Sequence, residues 1–313
     1  MLPALLRPVV AMALVASSAA ADVPRVAADV APVHSLVARV MAGLGEPALV
    51  VPPGSSPHAH ALRPSEAAAL QEADLVFWVG PDLTPWLGDA LATLASNAST
   101  TALLEHEGTV RLDLREDALF GPHDDAAPHD HGDDVHGDHD HAHGAHDPHA
   151  WLMPDNAAAW MAAIAESLAT ADPANAAAYR ANAAEGADEV AALSAGIDAR
   201  LDPVRGARIV VFHDAYQYLE RAFGIETIGA IALSDATPPS PARIAAIRAR
   251  IGAEGIDCVL SEPQFDPALV SALLDGTSAE TGILDPLGAA LEPGPALYPD
   301  LMRALADGLA TCR

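Results

Sequence analysis

Along most of the chain, short unbroken apolar runs alternate with helical periodicities. In the first half, "EPALVV" (Glu46–Val51) and "ADLVFWVG" (Ala73–Gly80) are apolar without alternation, the pattern of strands buried on both faces of a parallel sheet. "HSLVARVMAGLG" (His34–Gly45) predicts a helix closed by glycines. The alanine-rich "RPSEAAALQEAD" (Arg63–Asp74) predicts another, with Pro64 or Ser65 at its start. The second half repeats the rhythm, with strands predicted over Ala207–Phe212, Thr227–Leu233, Ile256–Glu262 and Thr281–Asp285 and a closing helix over Tyr298–Cys312. Such alternation implies parallel sheets with helices on both faces, hence two α/β lobes.

Between the halves, "DPANAAAYRANAAEGADEVAALSAGIDARL" places Tyr179, Ala183, Gly186, Val190, Leu193, Ile197 and Leu201 at spacings of three and four. This is one amphipathic face, with Asp172 as N-cap and Pro173 in the first helical position. A helix of about 28 residues would be about 40 Å long, a rigid spine joining the lobes. Before it, from Gly121 to Asp147, all periodicity vanishes. Charged, small and histidine residues there have nothing to bury, so a disordered loop is expected. The organisation expected is a signal segment over 1–21, an N-terminal lobe over 22–171 including the loop 121–147, a linking helix over 172–201 and a C-terminal lobe over 202–313.

Charge narrows the partners. A net charge of −27 with only 16 basic residues, none in a block, argues against nucleic acid and against an anionic membrane surface. Solubility explains the acidity most simply; gathering cations is the sharper reading. Arg7 followed by "PVVAMALVASSAAA" (Pro8–Ala21), with Ala19 and Ala21 at cleavage-rule positions, reads as an export signal removed before Asp22. No cysteine stands nearby to carry a lipid, and no later run reaches the roughly 20 apolar residues that cross a bilayer. An exported, soluble chain is expected. Its two cysteines, Cys258 and Cys312, read first as a disulfide in an oxidising compartment, with two separate buried thiols as the alternative.

Nine of the fourteen histidines lie between His123 and His149, interleaved with eight aspartates between Asp124 and Asp147. The spacing of His123, His129, His131, His136, His139, His141, His143 and His146 is irregular, and ordering such a segment costs about 1–2 kcal/mol per residue. Several weak, exchanging auxiliary metal sites are therefore expected rather than one strong site. Four other residues are better placed. His58 in "PPGSSPHAHALRPS", His149 in "DPHAWLMP", His213 in "FHDAY" and Asp285 in "LDPLG" each stand at a strand's carboxyl end or a helix entry, the edge where open parallel sheets bind ligands. Any one of these histidines alone would read as a core or capping residue. Together, three imidazoles and a carboxylate make a sensible tetrahedral Zn²⁺ set, two ligands from each half of the chain.

These stretches, together with "ADLVFWVGP", "SEPQFDPALV" and "TGILDPLG", resemble the periplasmic zinc-binding proteins of bacterial high-affinity zinc-uptake ABC transporters, the cluster A-I solute-binding class. The resemblance spans nearly the whole chain after the signal. It implies two Rossmann-like lobes bridged by one long helix, with Zn²⁺ held in the cleft by His58, His149, His213 and Asp285. It also implies a disulfide between Cys258 and Cys312. The cognate ABC permease is the implied partner, a periplasmic zinc chaperone is a further candidate, and the chain is expected to act as a monomer and not as an enzyme. Manganese- and iron-binding relatives carry Glu where this chain has His213, so the imidazole favours zinc over a harder metal.

Two departures bear on the ligand set. Some zinc members have an acidic residue just before the first histidine, where this chain has Pro57, which leaves Asp285 or a water as fourth ligand. His60 stands where an aromatic is common and is either an auxiliary ligand or a turn residue. Glu262 and Asp214 are expected to orient the ligand imidazoles, with helix capping the alternative for Asp214. The competing classes are a manganese- or iron-binding paralogue, a secreted zinc hydrolase using three histidines and an open position, and a metal buffer working through the histidine loop alone. The last leaves two structured lobes unexplained.

Overall fold

Two four-stranded sheets, each wholly parallel and with strands in the same spatial order, organise the chain. The computed structural model describes residues 23–115, 146–232, 239–265, 267–274 and 277–312. The first lobe runs β1 (Val26–Ala28), α1 (Ala31–Val40), β2 (Ala48–Leu49), α2 (Pro64–Glu72), β3 (Leu75–Trp78), α3 (Leu87–Leu94) and β4 (Ser99–Ala102), in sheet order β2-β1-β3-β4. A turn of 3-10 helix (Ala150–Leu152), α4 (Pro154–Ala171) and α5 (Ala176–Leu201) follow. The second lobe runs β5 (Ile209–His213), α6 (Gln217–Phe223), β6 (Thr227–Ala232), α7 (Pro241–Glu254), β7 (Cys258–Ser261), α8 (Pro267–Leu274), β8 (Glu280–Ile283) and α9 (Leu297–Leu309), in order β6-β5-β7-β8.

The expected α/β lobes and long connecting helix are present. Helix α5 carries the predicted stripe: Tyr179, Ala183, Gly186, Val190, Ile197 and Leu201 are buried. Its start differs from expectation. Asp172 closes α4 and Asn175 precedes α5, so the helix begins at Ala176 and not at Pro173. A residue before proline is driven out of the helical region, and Asp172 instead stabilises the turn, accepting hydrogen bonds from Asn175 Nδ2 (2.7 Å) and the Tyr179 hydroxyl (3.0 Å).

One apolar cluster runs through both lobes, from Val26, Phe77 and Trp151 through Trp160 and Tyr179 to Tyr218, Leu260 and Leu305. Helix α5 packs on α1, α4, α6 and α9, and α1 also touches α9. Smaller clusters seal the outer sheet faces, around Val76, Leu87 and Leu91 in the first lobe and Val210, Ile247 and Val259 in the second. A disulfide joins Cys258 to Cys312, with Cα atoms 5.1 Å apart, and ties the chain's last turn to the start of β7. The carboxyl ends of both sheets face one another across the lobe boundary, where Trp151 Nε1 donates to the Pro286 carbonyl at 2.9 Å. The expected signal segment and His123 to His143 lie outside the described residues, and no described helix is long and apolar enough to cross a membrane.

Candidate metal centre

His213 is the last residue of β5, and Glu262 directly follows the neighbouring β7. The parallel register Val211↔Leu260, carried forward, sets the two side by side. Strand order reverses between β5 and β7, so both stand at the crevice where doubly wound sheets receive ligands. Both are 2% exposed. The His213 Nδ1–H donates to Glu262 Oε1, and Gln264 Nε2 holds the other carboxylate oxygen at 2.7 Å.

His149 reaches the same point from the first lobe, one residue before the 3-10 turn. Asp147 Oδ1 accepts both the His149 backbone N–H (2.9 Å) and its Nδ1–H (2.7 Å). Gln217 Nε2 donates to Asp147 Oδ2 at 3.1 Å, and the Tyr218 hydroxyl donates to the Asp147 carbonyl at 2.9 Å. Burial pushes the Asp147 carboxyl up to about 6, against the pull of the His149 N–H and the Arg115 charge.

Each Nδ1–H is thus engaged by a carboxylate, which leaves each Nε2 as a lone pair, the arrangement that orients metal-binding imidazoles. The two Nε2 atoms face each other 3.4 Å apart. Two facing lone pairs repel unless a proton or a cation lies between them. In a tetrahedral zinc site with Zn–N of about 2.0–2.1 Å, neighbouring nitrogens are about 3.3–3.4 Å apart. The His149–His213 pair therefore fits that edge.

His58 completes the group from the segment between β2 and α2, its ring centroid 5.9 Å from that of His149, with His149 and His213 centroids 5.2 Å apart. His58, His149 and His213 line one small cavity of about 10 Å³ with Trp151, Gln264 and Leu287. Among the described residues no three His, Cys, Asp or Glu side chains are drawn close enough to grip an ion as they stand. Two imidazoles hold ligand spacing and His58 stands back from them.

The other expected site residues have partners of their own. Asp285 Oδ1 accepts the backbone N–H groups of Leu287 (2.9 Å) and Gly288 (3.0 Å), and Oδ2 accepts that of Ala289 (2.6 Å), so its carboxylate shapes the turn that brings Leu287 to the cavity. His60 points to Glu66, Nε2 to Oε2 2.8 Å. Asp214 pairs with Arg115 at 3.0 Å and does not cap α6. Burial raises Asp214 to about 7, with Arg115 opposing. His146 meets Asp113 at 3.0 Å; the auxiliary candidates His123, His129, His131, His136, His139, His141 and His143 lie outside the described residues.

Sequence reasoning missed Asp147, whose only signal was its place two residues before His149 in "DPH". It also missed Gln264, which reaches the cavity only because β7 ends there, and Arg115. That guanidinium pairs with Asp214 and Glu220 and is the cation among the buried carboxylates Asp147, Asp214 and Glu220.

Comparison with known proteins gives consistent results. A family model described as "Zinc-uptake complex component A periplasmic" (ZnuA) matches residues 26–312. The high-affinity zinc uptake system protein ZnuA of Paracoccus denitrificans (strain Pd 1222) is 43% identical over 315 residues, covering 96% of this chain and 95% of the relative. The protein of the same name from Brucella abortus (strain 2308) is 41% identical, with 95% and 93% covered. A solved structure described as "Crystal structure of ZnuA" superposes with a TM-score of 0.73 at 23% identity, covering 93% of this chain and 99% of that one, a likeness of fold.

Proposed function

Since the chain belongs to the ZnuA family of periplasmic zinc-uptake components, we propose that it captures Zn²⁺ with His58, His149 and His213 and hands it to the permease of an ABC importer. Asp285, or a water in its place, completes the coordination sphere. The family is a metal-binding transport component and not an enzyme family.

The observation that carries the ligand assignment is the pair of carboxylate-backed imidazoles with Nε2 atoms 3.4 Å apart. His149 and His213 come from different lobes, so an ion between them is held by the shared interior and not by one flexible loop. Zinc is favoured over manganese or iron because three imidazoles make a nitrogen-rich set, which suits zinc better than oxygen-preferring ions. The acidic surface and the histidine-rich stretch 121–147 raise the local concentration of cations, and that stretch loads the cleft through weak sites ending beside His149. The periplasmic description of the family, and the stretch 1–21 read as an export signal, both support a periplasmic site of action.

The test is a zinc titration against a competing chelator of the full chain, of His149→Ala, of His213→Ala and of a deletion of residues 121–145. Each alanine variant should lose the tight site by at least a hundredfold while weak sites persist. The deletion should lose weak sites and slow loading while keeping the tight one. A His149→Ala protein that keeps full tight binding would overturn the ligand set.

A further inference from the structure

His149 and His213 stand at the ends of elements buried in the shared interior. His58 does not. The fourteen residues from Val50 to Arg63 form neither helix nor strand, so a ligand there needs orientation from outside its own segment. A ligand misplaced by an ångström contributes little, because a metal site depends on first-contact groups that their neighbours hold still.

Two attachments flank His58, one on each side, from the residue before α3 and from α2. Trp86, the residue that precedes α3, donates Nε1–H to the Pro57 carbonyl at 2.7 Å, on the peptide that joins Pro57 to His58. Trp86 itself packs against two apolar clusters, so this anchor is embedded in the lobe. Two residues after His58, His60 Nε2–H donates to Glu66 Oε2 at 2.8 Å, and the same oxygen accepts the Arg63 backbone N–H at 2.7 Å. Glu66 lies in the first turn of α2, and the side chains of His60 and Glu66 are only 7% and 8% exposed. A buried histidine–carboxylate pair on a turn is a structural commitment, not a solvent-facing accident. The two attachments touch: the His60 and Trp86 rings lie 5.6 Å apart, centroid to centroid. Pro52, Pro53 and Pro57 fix three backbone φ angles in the same segment, which leaves fewer conformations for the attachments to suppress.

We propose that Trp86 and the His60–Glu66 pair are positioning residues for His58, holding it at the cavity so that it can join His149 and His213 around the ion. This rests on the reading of His58 as a ligand. It gives His60 a role other than that of an extra ligand, since its ring is spent on Glu66. It also assigns work to Trp86, which neither lines the histidine cavity nor stands in a recognisable motif.

The test uses the full chain loaded with one equivalent of Co²⁺, whose visible bands report coordination number and geometry. Trp86→Phe keeps the ring and removes the N–H; His60→Leu removes the contact with Glu66; His60→Gln restores it, because a glutamine amide N–H reaches where Nε2 does. Trp86→Phe and His60→Leu should each weaken tight metal binding about tenfold, at the low end of the 10–100-fold effect of outer-shell partners. Both should shift the Co²⁺ bands towards the spectrum of His58→Ala, and His60→Gln should return affinity and spectrum to those of the parent. Thermal unfolding of each metal-free variant separates this from general destabilisation, which would lower the midpoint without changing the bands. Parent-like bands and affinity in both Trp86→Phe and His60→Leu, with His58→Ala impaired, would overturn the positioning role while leaving the ligand set intact. Parent-like behaviour of His58→Ala itself would remove the ligand reading and the positioning role with it.

Discussion

Asp147 turns one carboxylate oxygen to His149 and the other to Gln217, so its charge fixes which imidazole nitrogen turns towards His213. Asp147→Asn should weaken tight zinc binding by about 10–100-fold, the usual loss when the partner behind a metal-binding histidine is removed; competition titration beside Glu262→Gln checks it. Asp29 offers a pH-dependent counterpart away from the histidines. Its carboxylate bridges the ends of β1 and β3, accepting the N–H groups of Val30 and Val79 at 2.8 Å each, and burial raises it from 3.8 to about 7. The folded chain therefore keeps a proton that the unfolded chain has released between those values. The stability contributed by this group is complete below about pH 4 and is lost as pH rises to about 7. In denaturant titrations, Asp29→Asn should gain stability relative to the parent between pH 5 and pH 8, by a few kcal/mol at most; a flat difference would mean that Asp29 is ionised throughout. At this scale the sequence made His58, His149 and His213 legible because each ends a recognisable run beside proline or a turn. Asp147 and Gln264 were not legible, since their contacts depend on a local turn and on where a strand stops. His60 was ambiguous because "HAH" does not say which way a side chain faces.

Helix α9 approaches β8 so closely that a Cβ on Gly308 would clash with the Ile283 carbonyl oxygen, a backbone atom that cannot step aside. Gly308→Ala should therefore destabilise the fold by roughly 1–3 kcal/mol through overpacking, although alanine is about 1 kcal/mol the better helix former. Chemical denaturation decides which effect wins, and a stabilised variant would show that α9 can shift. Among elements, β3, β5 and β7 were readable as apolar runs, though each is shorter than its run because flanking residues leave the ladder. β2 kept only Ala48–Leu49 of the expected Glu46–Val51. Neither β1, at three residues, nor β4, whose "STTA" is polar and half exposed at the sheet edge, stands out by hydrophobicity. Pairing with β3 makes both into strands, and pairing is not a local property.

Across the whole molecule, the cluster that runs from β1 through α5 to α9 makes the two lobes share an interior. Calorimetry of the metal-free protein should accordingly show one unfolding transition; two resolved transitions would mean that the lobes fold as separate units. Replacing both Cys258 and Cys312 by Ser should lower the unfolding free energy by about 2–5 kcal/mol, the usual loss with a native disulfide, since this one closes a span of 54 residues. The two-lobe plan was legible from the repeated strand–helix rhythm. The shared interior was not, because nothing in a linear pattern says that α1 meets α9. The cavity between the histidines, about 10 Å³, has room for a single water-sized sphere. On the proposed ligand set, a cation could not enter wearing its hydration shell and would have to exchange water for imidazole on arrival. Magnesium surrenders its water reluctantly and demands six oxygen-type neighbours, so millimolar Mg²⁺ should leave a zinc titration unchanged. With those ligands the protein would tell cations apart by what each loses in leaving water, and the smallness of the chamber would enforce the choice.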